Sequence, residues 1–284
     1  MPTLVSSPET WRLLTVSYPS PFMNLAFEEA VARTFSSGLQ VQSTMRLWVN
    51  RRSVVIGRFQ DASAELDSDQ CALNYVNIVR RFTGGGAVFH DESILNFTIV
   101  RFPPENFSPW AFQEENLKLV SKALNGLGLD SSVEPPNSIL LDGRKVCGAA
   151  AANGKNFTLW HCSILVDANL VLLEAALAPS KLQTKSHFIH SRWRPVTTLT
   201  KSSCNPVSVH EVADCLKRTV EAKMRVNLAA SQPSTHEVEY ASTLYGRKYS
   251  LREWNLEGKQ PQDGEETESI LHDYGGVRPL HAFG

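Results

Sequence analysis

The chain has 284 residues, of which 42% are hydrophobic and 20% charged, and carries a formal net charge of -1. This is an ordinary globular balance with enough apolar surface for a sizeable core, and it excludes a global field that would recruit nucleic acid or an anionic membrane. Five scattered cysteines form no Cys-x-x-Cys pair, which excludes zinc-ribbon and thioredoxin chemistry, and no apolar run approaches the ~20 residues of a membrane-spanning helix.

The odd cysteine count fits reduced thiols in a cytosol-like compartment. The N-terminus lacks the basic flank and apolar run of a secretory signal, and a cleaved organellar leader stays open.

In chain order, the first helix is predicted to start near Asn24, which caps it. Glu28 and Glu29 then fall in or near its first turn, Phe22, Leu25, Ala26, Ala30 and Val31 form its stripe, and Gly38 ends it. Residues 45–49 and 53–56 read as strands joined at Asn50, Arg51 and Arg52, and residues 65–75 as helix. Residues 78–81 form a strand entering the glycine run, and residues 87–89 and 95–102 further strands. A helix is predicted over 107–128, with Leu117, Val120, Leu124 and Leu127 at helical spacing.

Residues 139–141, 145–151 and 158–166 form a strand meander, with turn signals at Asp142-Gly143 and Asn153-Gly154. Helices follow over 171–178, 209–228 and the start of 235–254. The basic, aromatic segment 245–249 is a candidate docking surface for an accessory protein, set against the alternative of a solvated helix end. Residues 1–258 read as one catalytic domain and 259–284, rich in Gly, Pro and acid, as a poorly ordered tail. Strands and helices mix without regular alternation, so the expected class is α+β, with a mixed, largely antiparallel sheet flanked by helices.

The segment Arg80-Arg81-Phe82-Thr83-Gly84-Gly85-Gly86-Ala87-Val88-Phe89-His90-Asp91 carries the most chemistry. Three glycines remove every Cβ, so a ligand can lie against backbone N–H groups, and the two arginines can supply charge to a phosphate or carboxylate. It is neither a P-loop nor a dinucleotide fingerprint. A second segment, Gly143-Arg144-Lys145-Val146-Cys147-Gly148-Ala149-Ala150, sets Lys145 before a strand of small residues that leave room for a ligand. Read alone, Lys145 is more readily an exposed hairpin lysine than a ligand-binding one. In Trp160-His161-Cys162, neighbouring strand residues point to opposite faces, so no Cys–His pair is expected and Cys162 reads as packing.

Together these residues resemble the lipoate–protein ligase family of the biotin/lipoate ligase superfamily. The string Arg80 to Asp91 is similar to its signature. Leu95-Asn96-Phe97, Gly143 to Gly148, Trp160-His161, Arg46-Leu47-Trp48 and Lys248-Tyr249-Ser250 to Trp254-Asn255 resemble its other motifs in order. The resemblance implies a biotin/lipoate ligase catalytic fold and a two-step reaction: lipoate and ATP with Mg²⁺ give lipoyl-AMP, which a lysine of a lipoyl carrier domain attacks.

It assigns Lys145 the charge-stabilising role. Arg81, Thr83, Gly84, Gly85, Gly86, Ala87, His90, Asn96, Gly148, Ala149, His161 and Trp48 would bind substrate and nucleotide, with the acyl tail among Trp48, Val79, Phe89, Ala149 and Ala150. A metal site is not assigned. Many relatives carry an accessory domain after the catalytic one, and the family-like ending here stops near Asn255. The expectation is therefore transfer from preformed lipoyl-AMP, with adenylation dependent on a separate protein.

Neither nucleic acid nor membrane is an expected partner. The expected compartment is the cytoplasm, or an organellar matrix in a eukaryote. Alternatives are an octanoyltransferase using a cysteine thioester, with Cys147 and Cys162 as candidates, a biotin–protein ligase, and an acyl-binding protein without catalysis.

Overall fold

A computed structural model describes residues 7–154, 156–177, 189–260 and 280–281. The chain opens with strands β1 (Glu9–Leu14) and β2 (Val16–Ser17), then helix α1 (Pro21–Ser36). Strands β3 (Thr44–Trp48) and β4 (Ser53–Ile56) precede short helices α2 (Ala62–Glu65) and α3 (Ser68–Leu73). Strands β5 (Asn77–Arg80), β6 (Val88–His90) and β7 (Ile94–Arg101) lead to helix α4 (Pro109–Asn125).

Next come β8 (Ser131–Glu134), β9 (Ser138–Leu141), β10 (Arg144–Asn153) and β11 (Thr158–Leu165). Helices α5 (Leu170–Ala176), α6 (Leu199–Ser202) and α7 (Val209–Met224) precede β12 (Val226–Ala230). Helix α8 (Thr235–Leu244) runs into a π-helical turn (Tyr245–Tyr249) and α9 (Arg252–Asn255), and β13 (Leu280–His281) pairs with β2.

Eight strands form a mixed sheet in the order β12-β1-β3-β7-β11-β10-β9-β8, and β5-β4-β6 form a separate three-stranded sheet. The expected α+β class with flanking helices is what forms. Alternation along the large sheet separates two environments. Met45, Leu47, Leu95, Phe97 and Ile99 point into a core with Leu117, Val120 and Leu124 of α4 and Leu216 and Val220 of α7. The opposite face carries Arg46, Trp48, Asn96 and Thr98, all buried. Each of these polar side chains has at least one hydrogen-bond partner. No helix among the described residues is long and apolar enough to cross a membrane.

Several local expectations change. Helix α1 starts one turn earlier than predicted, capped by Ser20, whose hydroxyl accepts from Met23 N. Glu28 and Glu29 therefore lie well inside the helix and are buried. Strands β3 and β4 do not form a hairpin: β3 joins the large sheet and β4 the small one. Residues 65–75 split into the end of α2 and α3, each capped by an aspartate, Asp61 and Asp67.

The helix predicted to reach residue 228 stops at Met224, because Arg225 adopts a left-handed conformation (φ 56°). Val226–Ala230 then pair in parallel with β1. Strand β8 carries too little apolar alternation for its sequence to disclose it. Most of the predicted tail lies outside the described residues, as does the last residue of the helix predicted over 171–178.

Of the two cations in segment 245–249, Arg247 is exposed and Lys248 is turned inward. Lys248 and Tyr249 are buried, and both bond the Glu29 carboxylate at 2.7 Å. Tyr249 and Trp254 pack in the core beside α1. Through Lys248, Tyr249 and Trp254 the C-terminal motif thus seals one side of the helix.

Candidate active site

A cavity of about 260 Å³ opens between the two sheets and α1. Eleven predicted residues line it: Trp48, Arg81, Gly85, Gly86, Ala87, His90, Asn96, Lys145, Gly148, Ala149 and His161. Thr83 and Gly84 do not. Thr83 is buried behind the wall, with its hydroxyl 2.9 Å from His161 Nε2. Of the proposed tail-binding residues, Val79 is packed in the core and Phe89 borders a second cavity of about 500 Å³, because Val88 and His90, its neighbours in β6, take the facing positions.

The register of the large sheet orders the floor. One row across four strands holds Trp48, Asn96, Ser163 and Gly148, and the next holds Arg46, Thr98, His161 and Ala150. A Cβ on Gly148 would sit 3.0 Å from Lys145 Cε and Nζ, so the lysine side chain lies across that glycine. This is the physical need for glycine there. Burial lowers the Lys145 pKa from the ordinary lysine range. The ammonium is therefore more costly to keep than on a surface, as expected for a group waiting for an anion.

The arginines play roles the sequence does not indicate. Arg80 donates to the carbonyls of Gly57, Arg58, Gln60, Trp254 and Leu256, and joins the C-terminal segment to the base of the glycine loop. The sequence suggests fixed charge for a phosphate; the guanidinium is instead consumed by five carbonyls.

Arg81 lines the cavity but is also turned inward. Its N–H groups reach the carbonyls of Val55, Gly84 and Gly86 and the Thr83 hydroxyl. It folds the loop into shape by gathering its carbonyls. Gly85 has φ +88°, a conformation side chains resist, and an added Cβ would meet Arg81 Nη2 at 3.0 Å.

Two polar chains organise the walls. In the first, Trp48 Nε1 donates to Thr98 Oγ1, which donates to Glu28 Oε1 at 2.6 Å. Glu28 Oε2 lies 3.0 Å from His161 Nδ1. Burial alone would raise the Glu28 pKa, but the charges of His161 and Arg46 and the hydrogen bonds from His161 and Thr98 more than offset it, and the net shift is downward. An ionised carboxylate thus sits at the cavity wall. Sequence reasoning misses it, treating Glu28 as a helix-dipole residue; its neighbours on β7 and β11 are distant in the chain.

In the second chain, Asn50 Nδ2 lies 3.4 Å from His90 Nδ1, and His90 Nε2 lies 2.8 Å from Ser163 Oγ. Ser163 donates to Asn96 Oδ1 at 2.8 Å. With Asn50 donating, His90 accepts at Nδ1 and carries its proton on Nε2. Burial and the nearby Arg81 push His90 down to about 3. An unfolded histidine titrates near ~6.5. Below that pH the unfolded chain takes up a proton that the folded site refuses until about 3, so stability is lost as pH falls through this window. Thermal melting between pH 7 and 5 should show wild type losing more stability than His90→Gln; equal losses would refute the neutral assignment.

Residues from the stretch 189–194 also line this cavity, a contribution the sequence does not disclose. Ser191 Oγ accepts from Ala87 N at 2.8 Å and from Gln60 Nε2 at 3.0 Å, and Ser191 N donates to the Glu65 carboxylate. A Cβ on Gly86 would meet Ser191 Oγ at 2.9 Å. Arg194 pairs with Glu134 at 2.9 Å on the rim. A cavity with an apolar end, a half-buried lysine and a glycine loop in its wall can hold an acyl chain by its tail and an anion by its head.

The profile of the lipoyl protein ligase A/B catalytic domain matches residues 20–221. Lipoate-protein ligase A subunit 1 of Thermoplasma acidophilum is 32% identical over 256 residues, covering 86% of this chain and 96% of that protein. The octanoyltransferase LipM of Brevibacillus brevis is 27% identical, covering 87% and 99%. The structure of a bi-partite lipoate protein ligase and its E2 lipoyl domain from T. acidophilum aligns with TM-score 0.79 at 29% identity, covering 90% of this chain and 100% of that one. A lipoate-protein ligase A bound with ATP aligns at 0.75 and 31%, covering 87% and 98%. With a profile match over more than half its length, the chain belongs to the lipoyl protein ligase A/B catalytic domain family.

Proposed function

We propose that this protein is a lipoate–protein ligase: it joins lipoate to AMP and transfers the lipoyl group to a lysine of a lipoyl carrier domain, with residues 1–258 as its catalytic domain. The observation that carries this reading is the half-buried Lys145 laid across Gly148, in the same cavity as the glycine loop, a cavity with an apolar end.

In the first step a carboxylate oxygen attacks the α-phosphorus of ATP and pyrophosphate leaves. Loop N–H groups and the Lys145 ammonium offset charge on the phosphate oxygens. In the second, a carrier amine attacks the acyl carbon, the amide C–N bond forms, the bond between the acyl carbon and the bridging phosphate oxygen breaks, AMP leaves with that electron pair, and the amine proton passes to water. Positioning and charge suffice, and no enzyme nucleophile is needed. Among the described residues no group of three His, Cys, Asp or Glu could hold a metal ion. Mg²⁺, if used, would enter on the triphosphate and shield its charge.

The relatives include an octanoyltransferase, so the cysteine reading needs its own test. Cys147 and Cys162 are both buried in the core, and burial and Cys147 push the Cys162 thiol well above its ordinary range. A buried, protonated thiol is a poor nucleophile. The double variant Cys147→Ala, Cys162→Ala should transfer from lipoyl-AMP at a rate within about threefold of wild type. Abolished transfer in a folded double variant would favour the thioester route.

The T. acidophilum relative is described as bi-partite, which supports a separate accessory protein for adenylation here too. We expect the isolated chain to lipoylate a carrier domain from synthetic lipoyl-AMP and to release pyrophosphate from ATP and lipoate far more slowly. Equal rates would make the chain a self-sufficient ligase; absence of transfer from lipoyl-AMP would overturn the function.

A further inference from the structure

Asn96 poses a question that the binding role assigned to it does not answer. It lines the cavity and is 2% exposed, yet its side-chain nitrogen has no hydrogen-bond partner. A buried amide N–H without an acceptor costs about 1–3 kcal/mol, and such groups in folded proteins call for an explanation.

The orientation of this amide is determined. Ser163 Oγ receives the His90 Nε2 proton and gives its own to Asn96 Oδ1. Turning the amide over would set an NH₂ against a hydroxyl whose proton must then go elsewhere. Asn50 fixes His90, and its own Oδ1 accepts from Asn24 Nδ2 at 3.1 Å. The chain of donors runs in one direction, from Asn24 through Asn50, His90 and Ser163 to Asn96, and ends on a donor with nothing to bind.

The place of that donor in the sheet narrows what it awaits. Asn96 shares its row with Ser163 and Gly148, and Lys145 lies over Gly148. Adjacent strands are ~4.8 Å apart, so Asn96 and the lysine ammonium stand about 10 Å apart or less across one row. The neighbouring row holds His161 and Ala150, further along the cavity. A ligand whose tail lies along that second row and whose phosphate meets Lys145 must bring its carbonyl between them.

We propose that the Asn96 amide donates to the acyl carbonyl oxygen of the acyl-adenylate, with Ser163, His90 and Asn50 as positioning residues that aim it. This rests on the ligase reading above. As the carrier amine adds to the acyl carbon, the carbonyl π electrons move to oxygen, where the amide N–H meets them. When the C–O bond to phosphorus breaks, they return, AMP departs with the bonding pair, and the surplus amine proton passes to water. A fixed donor at a developing oxyanion contributes to rate more than to affinity.

The test is single-turnover transfer from synthetic lipoyl-AMP to a lipoyl carrier domain, with binding of a sulfamoyl analogue of lipoyl-AMP measured alongside. Asn96→Ala should slow transfer by about 10²–10³-fold while changing analogue affinity less than about tenfold. Asn96→Asp keeps the shape and the Ser163 bond while replacing the donor, and should be as slow. Ser163→Ala, which frees the amide to turn, should lose about tenfold, and Ser163→Thr should restore the rate.

Folded Asn96 variants within about threefold of wild type overturn the proposal alone. So would rates that fall only in proportion to analogue affinity or thermal midpoint, the signature of a purely structural amide. Wild-type protein unable to transfer at all overturns the ligase reading, and this proposal with it.

Discussion

Lys145→Ala should reduce lipoyl transfer at least ~10³-fold while leaving the fold intact. The side chain lies across Gly148 at the cavity rather than in the core, so its loss leaves no void to collapse. The carbonyl and amide of Lys145 stay paired with Thr197 N and Pro195 O, bonds that do not depend on the side chain. Lys145→Arg should not rescue, because a planar fork cannot occupy the compact space over the glycine.

The lowered pKa adds a pH dependence. Wild-type activity that requires the ammonium should fade on the alkaline side earlier than an ordinary lysine would dictate. A Lys145→Ala variant that turns over near the wild-type rate would remove the lysine from the mechanism.

Gly57→Ala should disable the glycine loop from outside it. A Cβ at this position would stand 2.0 Å from the Gly85 carbonyl oxygen, so backbone must move. Gly57 cannot yield easily: its N–H donates to Gln60 Oε1 and its carbonyl accepts from Arg80, each at 2.9 Å. The loop must shift instead, taking Gly85 and the Arg81 fork with it. Overpacking of this kind costs about 1–3 kcal/mol, a few degrees in melting temperature for a chain of this size, whereas binding of lipoyl-AMP should weaken by about 10²-fold.

Gly84→Ala is the contrast. Its added Cβ meets only Phe59, at 3.7 Å, an ordinary contact, and activity should stay near wild type. Calorimetry on both variants decides the matter. Equal affinity in Gly57→Ala would mean that the loop conformation is not what binds the ligand.

The residues whose chemistry depends on local sequence are legible in the sequence itself. Three glycines in a row state that backbone is to be exposed, whatever surrounds them. A lysine followed by Gly and Ala states that a long cation will lie over small residues. Eleven of the predicted site residues line one cavity: the glycines, Lys145 and the small residues after it are read from local chemistry, and Trp48, His90, Asn96 and His161 from the family resemblance.

Tertiary structure decided the rest, because a side chain's role depends on which groups share its burial. Arg80 and Arg81 look alike in sequence. One is spent on five carbonyls and the other on shaping the loop, since their neighbours come from residues 55–60 and 254–256. Glu28 reads as a helix-terminal acid until α1 starts at Pro21 and carries it to the cavity wall beside His161. Ser163 and Ser191 are ordinary serines until pairing with β7 gives one of them Asn96, and a turn over the mouth gives the other the Ala87 N–H. Periodicity reports which face of an element is apolar; it does not report which element will cover it, and the polar chains of this site run across strands far apart in the chain.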